Sequence, residues 1–353
     1  MRPREDAWRA ADARRSRPTL SGMARSHLTL AALATSAVPG LDIAAAASFG
    51  AGQGSDFDAA IITGRDGRHW IIRVPRNPRA EAEQSADLVA LRALSHGVRT
   101  RLPFTVSTPV GHVPVDGTRA IVYEFVYGSK VPLSAWTPEL AQSVGSALGA
   151  IHSLPSSVVG DAGLPALTAA ECQRSCMTIA DRAAATGMLP AMLVGRWERA
   201  LEDAHLWQFQ PAVVNGAASA SSFLFADGRV TGMLGWHSLR VGDPAADVQF
   251  ALGAAAPEIT DGLFAGYESV RGVGDRQLIP RARLYAELEL AKWLLHGVET
   301  RSTEIVDDAV GLLTGLVDRL RVEAVGGSLG SSQHETLAVD EVEELLARAR
   351  RAV

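Results

Sequence analysis

Residues 58–74 read Asp-Ala-Ala-Ile-Ile-Thr-Gly-Arg-Asp-Gly-Arg-His-Trp-Ile-Ile-Arg-Val. Two β-rich runs, 58–63 and 69–74, flank a glycine turn at 64–67, and this pattern predicts an antiparallel hairpin. Just upstream, Phe49-Gly-Ala-Gly-Gln-Gly54 is a glycine-rich loop. Its spacing is not G-x-G-x-x-G, so it fits a backbone cradle for phosphates and a tight turn between strands equally well. Downstream, residues 79–94 carry apolar positions at helical spacing, and 119–126 form another strand. Tyr127-Gly-Ser-Lys130 then breaks the pattern. Residues 23–128 therefore read as one small α/β unit that ends in an extended connector.

From Pro138 onward the periodicity is helical, with helices expected at 138–153, 169–187, 190–207, 261–272, 280–297 and 303–325. One β-like stretch interrupts them at 212–236, where short strands at 223–226 and 230–234 flank an Asp227-Gly228 turn. Residues 326–339 (GGSLGSSQHETLAV) read as a linker. Residues 340–353 read as a short helix, acidic first and basic last, which suits the helix dipole.

The 353 residues are 47% hydrophobic and 21% charged, with 34 basic and 39 acidic side chains and a formal charge of −5. Those values exclude a disordered or collagen-like chain and a protein that binds nucleic acid by charge alone. Only two of the basic residues are lysines, Lys130 and Lys292; the other 32 are arginines. Cys172 and Cys176 stand four apart in a helical stretch with no companion ligands, which indicates a reduced, cytoplasmic chain rather than a zinc site. No apolar run is long enough to span a membrane. Residues 23–49 have the look of a secretory signal, but Thr29, Thr35 and Ser36 interrupt the apolar stretch and an amphipathic first helix explains it equally well. Residues 1–22 carry net charge +3, which leaves −8 on the remainder, and read as a tail or a misassigned start.

The order of a small sheet, a connector and a mostly helical region resembles the bilobal kinase fold, specifically the aminoglycoside and macrolide phosphotransferase family. The resemblance covers about residues 25–320. It rests on Thr63-Gly-Arg-Asp-Gly-Arg-His-Trp-Ile-Ile-Arg-Val-Pro-Arg76, on Glu124-Phe-Val-Tyr-Gly128 and on Leu148-Gly-Ala-Ile-His152. It rests also on Val230-Thr-Gly-Met-Leu-Gly-Trp236, followed by Gly242-Asp-Pro-Ala-Ala-Asp247. The first run looks most like macrolide 2'-phosphotransferases. The implied fold is α+β and bilobal, with a small antiparallel-sheet N-lobe (23–128) and a mainly helical C-lobe (129–325).

Such kinases use a carboxylate to accept the substrate hydroxyl proton and oxygen ligands to hold magnesium against the phosphates. The resemblance places these groups in a His-Gly-Asp motif, in an Asn five residues after that Asp, and in an Asp before a strand-end Trp. Here the motif reads Asn215-Gly216-Ala217, the Asn position is Ser222, and Gly235 precedes Trp236. The expectation is a pseudokinase with no magnesium site that binds ATP or GTP weakly or not at all. The resemblance gives the nucleotide Gly52, Gly54, Ser55, Arg73 and the backbone of Glu124 and Val126. Glu83 or Asp87 would face Arg73. Asp247 would anchor the catalytic-loop backbone, and Asp243 would be structural.

Two other readings stay open. In one, the chain is an active phosphotransferase for a macrolide-like hydroxyl compound, with its acids relocated to Asp227, His237 or Asp243. In the other, it is a regulatory protein that meets a protein partner through the 340–353 helix. The expected ligand is a small molecule in the C-lobe cleft, with neither nucleic acid nor membrane as partner.

Overall fold

The computed structural model describes residues 24–50, 55–253, 256–272 and 274–326. The expectations for residues 1–22, Gly52, Gly54, the linker beyond Gly326 and residues 340–353 lie outside the described residues. The described chain begins with helix α1 (His27–Ala37), whose first turn is closed by the Ser26 hydroxyl accepting the Thr29 N–H. The apolar stretch near the start is thus a helix whose Leu30, Ala34 and Ala37 are buried against a sheet.

Strands β1 (Ile43–Ser48), β2 (Phe57–Gly64) and β3 (His69–Pro75) follow. The hairpin predicted from 58–74 is β2–β3, which pair antiparallel from Phe57–Pro75 to Thr63–His69. Strand β1 is a finding the sequence hid, because Ile-Ala-Ala-Ala-Ala-Ser carries little β signal. It pairs antiparallel with β2 and forms one edge of the sheet. Helix α2 (Pro78–Ala93) starts where the Asn77 side chain accepts the Ala80 N–H, with Pro78 in the first turn. A short α3 (His96–Arg99) and strands β4 (Thr105–Val106), β5 (Pro109–Val115) and β6 (Thr118–Glu124) complete this half. The main sheet runs β1-β2-β3-β6-β5.

Strand β6 shows how that sheet is covered on both faces. Ala120 and Val122 join Ile62, Ile72 and Leu30 in a small core under α1, whereas Ile121 and Tyr123 join Leu88 and Leu91 of α2 in the large core. The alternation of a strand sends successive side chains to opposite faces, so one strand ties both cores together. At Gly111 of β5 a side chain would strike the Ala37 carbonyl oxygen, so the absence of a Cβ there sets how closely α1 approaches the sheet.

The helical half begins with α4 (Pro138–His152), α5 (Ser157–Gly160), α6 (Ala169–Ala185) and α7 (Ala191–Glu202). Helix α7 stops at Glu202 rather than reaching 207; Trp207 is buried in the loop that follows, with its Nε1–H donating to the Ala200 carbonyl. Strands β7 (Ala212–Val214), β8 (Phe223–Ala226), β9 (Arg229–Met233) and β10 (Arg240–Gly242) lie between α7 and the last helices. Those helices are α8 (Ala245–Val248), α9 (Pro257–Arg271), α10 (Leu278–Thr300) and α11 (Thr303–Gly326), so Gly326 ends a helix rather than opening a linker. Helices α4 and α9 pack almost backbone to backbone. A Cβ at Gly145 would meet the Leu263 carbonyl, and one at Gly266 would meet the Gln142 carbonyl. The two halves are joined by β4 pairing parallel to β9, and by a bridge between Ser129 of the connector and Phe225.

Candidate nucleotide cleft and catalytic loop

The loop after β7 is held from below by a buried polar network. Asp247, on α8 and fully buried, accepts the Asn215 N–H at 2.6 Å and the Gly216 N–H at 2.7 Å. The same carboxylate lies 3.2 Å from His152 Nε2, and His152 Nδ1 lies 2.9 Å from the Tyr267 hydroxyl. A carboxylate only accepts, so Nε2–H donates to Asp247 and Nδ1 accepts from Tyr267. This assigns His152 to the core. Gly216 takes φ +82°, and a side chain there would collide with Arg240 and the Ser238 carbonyl. The Asn215 side chain adds a cross-brace: Nδ2–H donates to the Gly235 carbonyl at 2.9 Å and Oδ1 accepts the Ala217 N–H at 3.2 Å.

The face above that network is different. Ala217 and Gly235 are both exposed, and a Cβ added at Gly235 would meet open space. Ser222 is occupied locally, with its Oγ accepting the Ser219 N–H at 3.2 Å. Among the described residues, no group of three or more His, Cys, Asp or Glu side chains is placed to hold a metal ion. The residues at the three positions that the resemblance gives to the base and to magnesium do not fit that ion. They offer a methyl group, a hydroxyl already bonded to its own turn, and no side chain at all.

The acids considered as replacements are held elsewhere. Asp243 is buried, and its two oxygens accept from Arg281 at 2.8 and 3.1 Å and from the Ala245 N–H at 2.9 Å. Burial still raises its pKa, although the Arg281 hydrogen bonds and charge oppose the shift. Arg281 also pairs with Asp275 at 2.5 Å. Asp227 takes φ +51° in the β8–β9 turn. His237 Nδ1 lies 3.8 Å from Glu83 Oε1, beyond hydrogen-bond distance, and has no hydrogen-bond partner among the described residues.

The N-lobe side of the cleft is built by β3, β6 and α2. The Arg73 guanidinium stands 3.9 Å over the Phe57 ring, and its charge acts on Asp87 of α2. Of the two acids left open by the sequence, Asp87 feels the Arg73 charge, while Glu83 Oε1 lies 3.8 Å from His237 Nδ1. Asp87 also accepts the Trp236 N–H at 2.7 Å, tying α2 to the residue after Gly235. Burial raises the Asp87 pKa against the pull of that bond and of the Arg73 and His237 charges. No sequence pattern marked this contact, because it joins residues 149 apart. Trp236 is buried and stacks on Phe104 at 6.3 Å. The Tyr123 hydroxyl is buried without a partner among the described residues and feels the charges of Asp87 and Arg73.

Glu124 is the last residue of β6 and its side chain reaches Arg68 at 3.3 Å, so the Val126 N–H lies beyond the strand ladder. The Ser55 hydroxyl accepts the Phe57 N–H at 3.2 Å and closes the turn into β2.

The profile of the phosphotransferase enzyme family (APH) matches residues 50–285, well over half of the chain. Among solved structures, an apoenzyme macrolide 2'-phosphotransferase from Brachybacterium faecium is 21% identical with a TM-score of 0.67, covering 81% of this chain and 97% of that one. A type I macrolide 2'-phosphotransferase is 25% identical with a TM-score of 0.64, covering 81% and 95%. An aminoglycoside phosphotransferase in complex with GDP and kanamycin is 17% identical with a TM-score of 0.65, covering 82% and 98%. These likenesses establish a kinase-like α+β fold with an antiparallel-sheet N-lobe and a mostly helical C-lobe. The uncharacterized protein YcbJ of Bacillus subtilis (strain 168) is 23% identical over 202 residues, 55% of this chain, and the match spans 66% of that relative's own length. No helix among the described residues is long and apolar enough to cross a membrane.

Proposed function

The chain belongs to the phosphotransferase enzyme family, and on that premise we propose that it is a nucleotide-binding member that transfers phosphoryl groups poorly or not at all. The observation carrying this reading is the rim of the cleft, where Ala217 and Gly235 face open space and the Ser222 hydroxyl is bonded to its own turn. A general base is worth about 10²–10⁴ in rate, and each preorganised electrostatic group about 10²–10³. Losing all three together removes most of what this chemistry needs. Asp243 is already saturated by Arg281 and Ala245, and Asp227 belongs to a hairpin turn, so neither supplies a replacement.

The binding half of the function has a better set of residues. In this reading the base faces the backbone of Glu124 and Val126, and Arg73 receives the phosphates where a lysine would otherwise stand. Gly52, Gly54 and Ser55 belong to the loop that would cover them. The relatives are named for macrolides and aminoglycosides, or were solved with GDP or ATP. The proposed ligands are accordingly ATP or GTP without a magnesium requirement, together with a hydroxyl-bearing small molecule in the C-lobe cleft. A nucleotide-dependent role and two free, buried cysteines both suit the cytoplasm.

The test is thermal shift with ATP and with GTP, each with and without magnesium, on the wild type and on the Ala217→Asp, Ser222→Asn, Gly235→Asp variant. The expected result is a magnesium-dependent shift in the variant alone. Wild-type turnover of about 1–100 s⁻¹ on a macrolide or aminoglycoside, the ordinary range for kinases, would overturn the proposal.

A further inference from the structure

Away from the cleft, a groove of about 690 Å³ runs between the end of α2 with α3 on one side and residues 155–162 on the other. Val89, Val98 and Val158 supply apolar surface, while Arg92 and Arg101 bring two cations and Asp161 one anion. Val89 and Arg92 are one turn apart on α2 and share a face. Both arginines are exposed, and neither side chain makes an ion pair or hydrogen bond among the described residues.

The groove is preformed. Arg99 of α3 donates to the carbonyls of Leu94, Leu91, Val106 and Ser107 and to the Thr108 hydroxyl, which fixes α3 against the end of α2 and the start of β5. An occupant would therefore meet a rigid wall and lose little to ordering it. Because one wall comes from the N-lobe and the other from the residues after α4, an occupant would bridge the two halves of the molecule.

We propose that the occupant is this chain's own segment 340–353, docked in cis. The segment reads Asp-Glu-Val-Glu-Glu-Leu-Leu-Ala-Arg-Ala-Arg-Arg-Ala-Val. Val342, Leu345 and Leu346 fall at i, i+3 and i+4 and would share one helical face toward the valines. Asp340, Glu341, Glu343 and Glu344 precede Arg348, Arg350 and Arg351. That order matches a groove whose two arginines lie on one wall and whose aspartate lies on the other, so the complementarity holds for both signs. Residues 327–339 give about 45 Å of reach when extended. A folded unit of about 300 residues has a radius of gyration of about 19 Å, so that reach crosses much of the molecule. Tethering sets an effective concentration of about 1 mM, at which an intrinsic Kd of about 100 μM gives roughly 90% docking.

Docking would also be felt in the cleft. Arg92 lies five residues after Asp87 on α2, about 7.5 Å along the axis and about 140° around it. One helix therefore presents Asp87 to Trp236 and Arg92 to the groove.

The test is hydrogen exchange on the full chain. The amides of residues 340–346 should exchange at least about fivefold more slowly in the wild type than in an Arg92→Glu, Arg101→Glu variant, as roughly 90% docking requires. A second variant, Glu341→Arg with Glu344→Arg, leaves the folded half unchanged and should lose the same protection. Combining the two charge reversals should restore it. Equal exchange in the wild type and both variants would overturn the proposal, as would failure of the combined variant to recover. Protection that rises with protein concentration alongside a dimer mass in light scattering would also overturn it, because the groove would then be filled by a second copy.

Discussion

The loop after β7 has an underside and a rim, and the two are built by opposite rules. Beneath the loop, Asp247, His152, Tyr267, Asn215 and the Gly216 amide form a buried network in which every named polar group has a partner. At the rim, Ala217 and Gly235 present no functional group and the Ser222 hydroxyl bonds only within its own turn. A buried donor or acceptor costs about 1–3 kcal/mol when left unmatched, so the underside is constrained by folding itself. An exposed position carries no such penalty. On the proposed reading, the fold stands intact while the groups the family's chemistry would need are absent.

The contrast is sharpest for Asp247→Ala. Removing that carboxylate strands two backbone N–H groups and the His152 ring N–H, at an expected cost of about 3–5 kcal/mol in urea unfolding. A loss below about 1 kcal/mol would mean that the underside is as free as the rim. Tyr267→Phe removes one outer bond of the network and should cost about 1 kcal/mol by the same measurement. Gly235→Ala should cost a similar amount for a different reason. The site has open space but sits at φ +77°, where a Cβ is penalised by about 1–2 kcal/mol. Ala217→Asp should change stability by no more than about 0.5 kcal/mol, as exposed positions do.

The last prediction is a slope rather than a step. Burial raises the Asp87 pKa in the folded state, so the native protein holds that proton more tightly than the unfolded chain does. Stability should therefore fall as pH rises from the ordinary carboxylate range through the folded pKa. Asp87→Asn keeps an oxygen for the Trp236 N–H and should remove that decline, as read from urea midpoints across acidic to neutral pH. If the slope were the same in both proteins, Asp87 would not be the group that links α2 to the rim.

Several elements are legible in the sequence itself. The β2–β3 hairpin follows from alternation around a glycine turn, and the long C-lobe helices follow from their apolar period and caps. The alanine-rich β1 was hidden because its strand character comes from pairing with β2 rather than from its own residues. Trp207 looked like the continuation of a helix because an apolar period does not reveal where a chain turns. The empty positions at 217 and 235 were visible directly, since a missing side chain is a property of sequence.

Sequence alone determined the β2–β3 hairpin, the run of long C-lobe helices, the identity of the three rim residues and the scarcity of lysine. Those are local matters of composition and period. The tertiary structure decided that Asp87 accepts the Trp236 N–H, that Asp243 is bonded to Arg281, and that His152 reaches Asp247 rather than solvent. Each of those depends on contacts between residues 38 to 149 apart, from Asp243–Arg281 to Asp87–Trp236. Partners that far apart are chosen by how helices and strands pack, and one-dimensional periodicity holds no record of that choice.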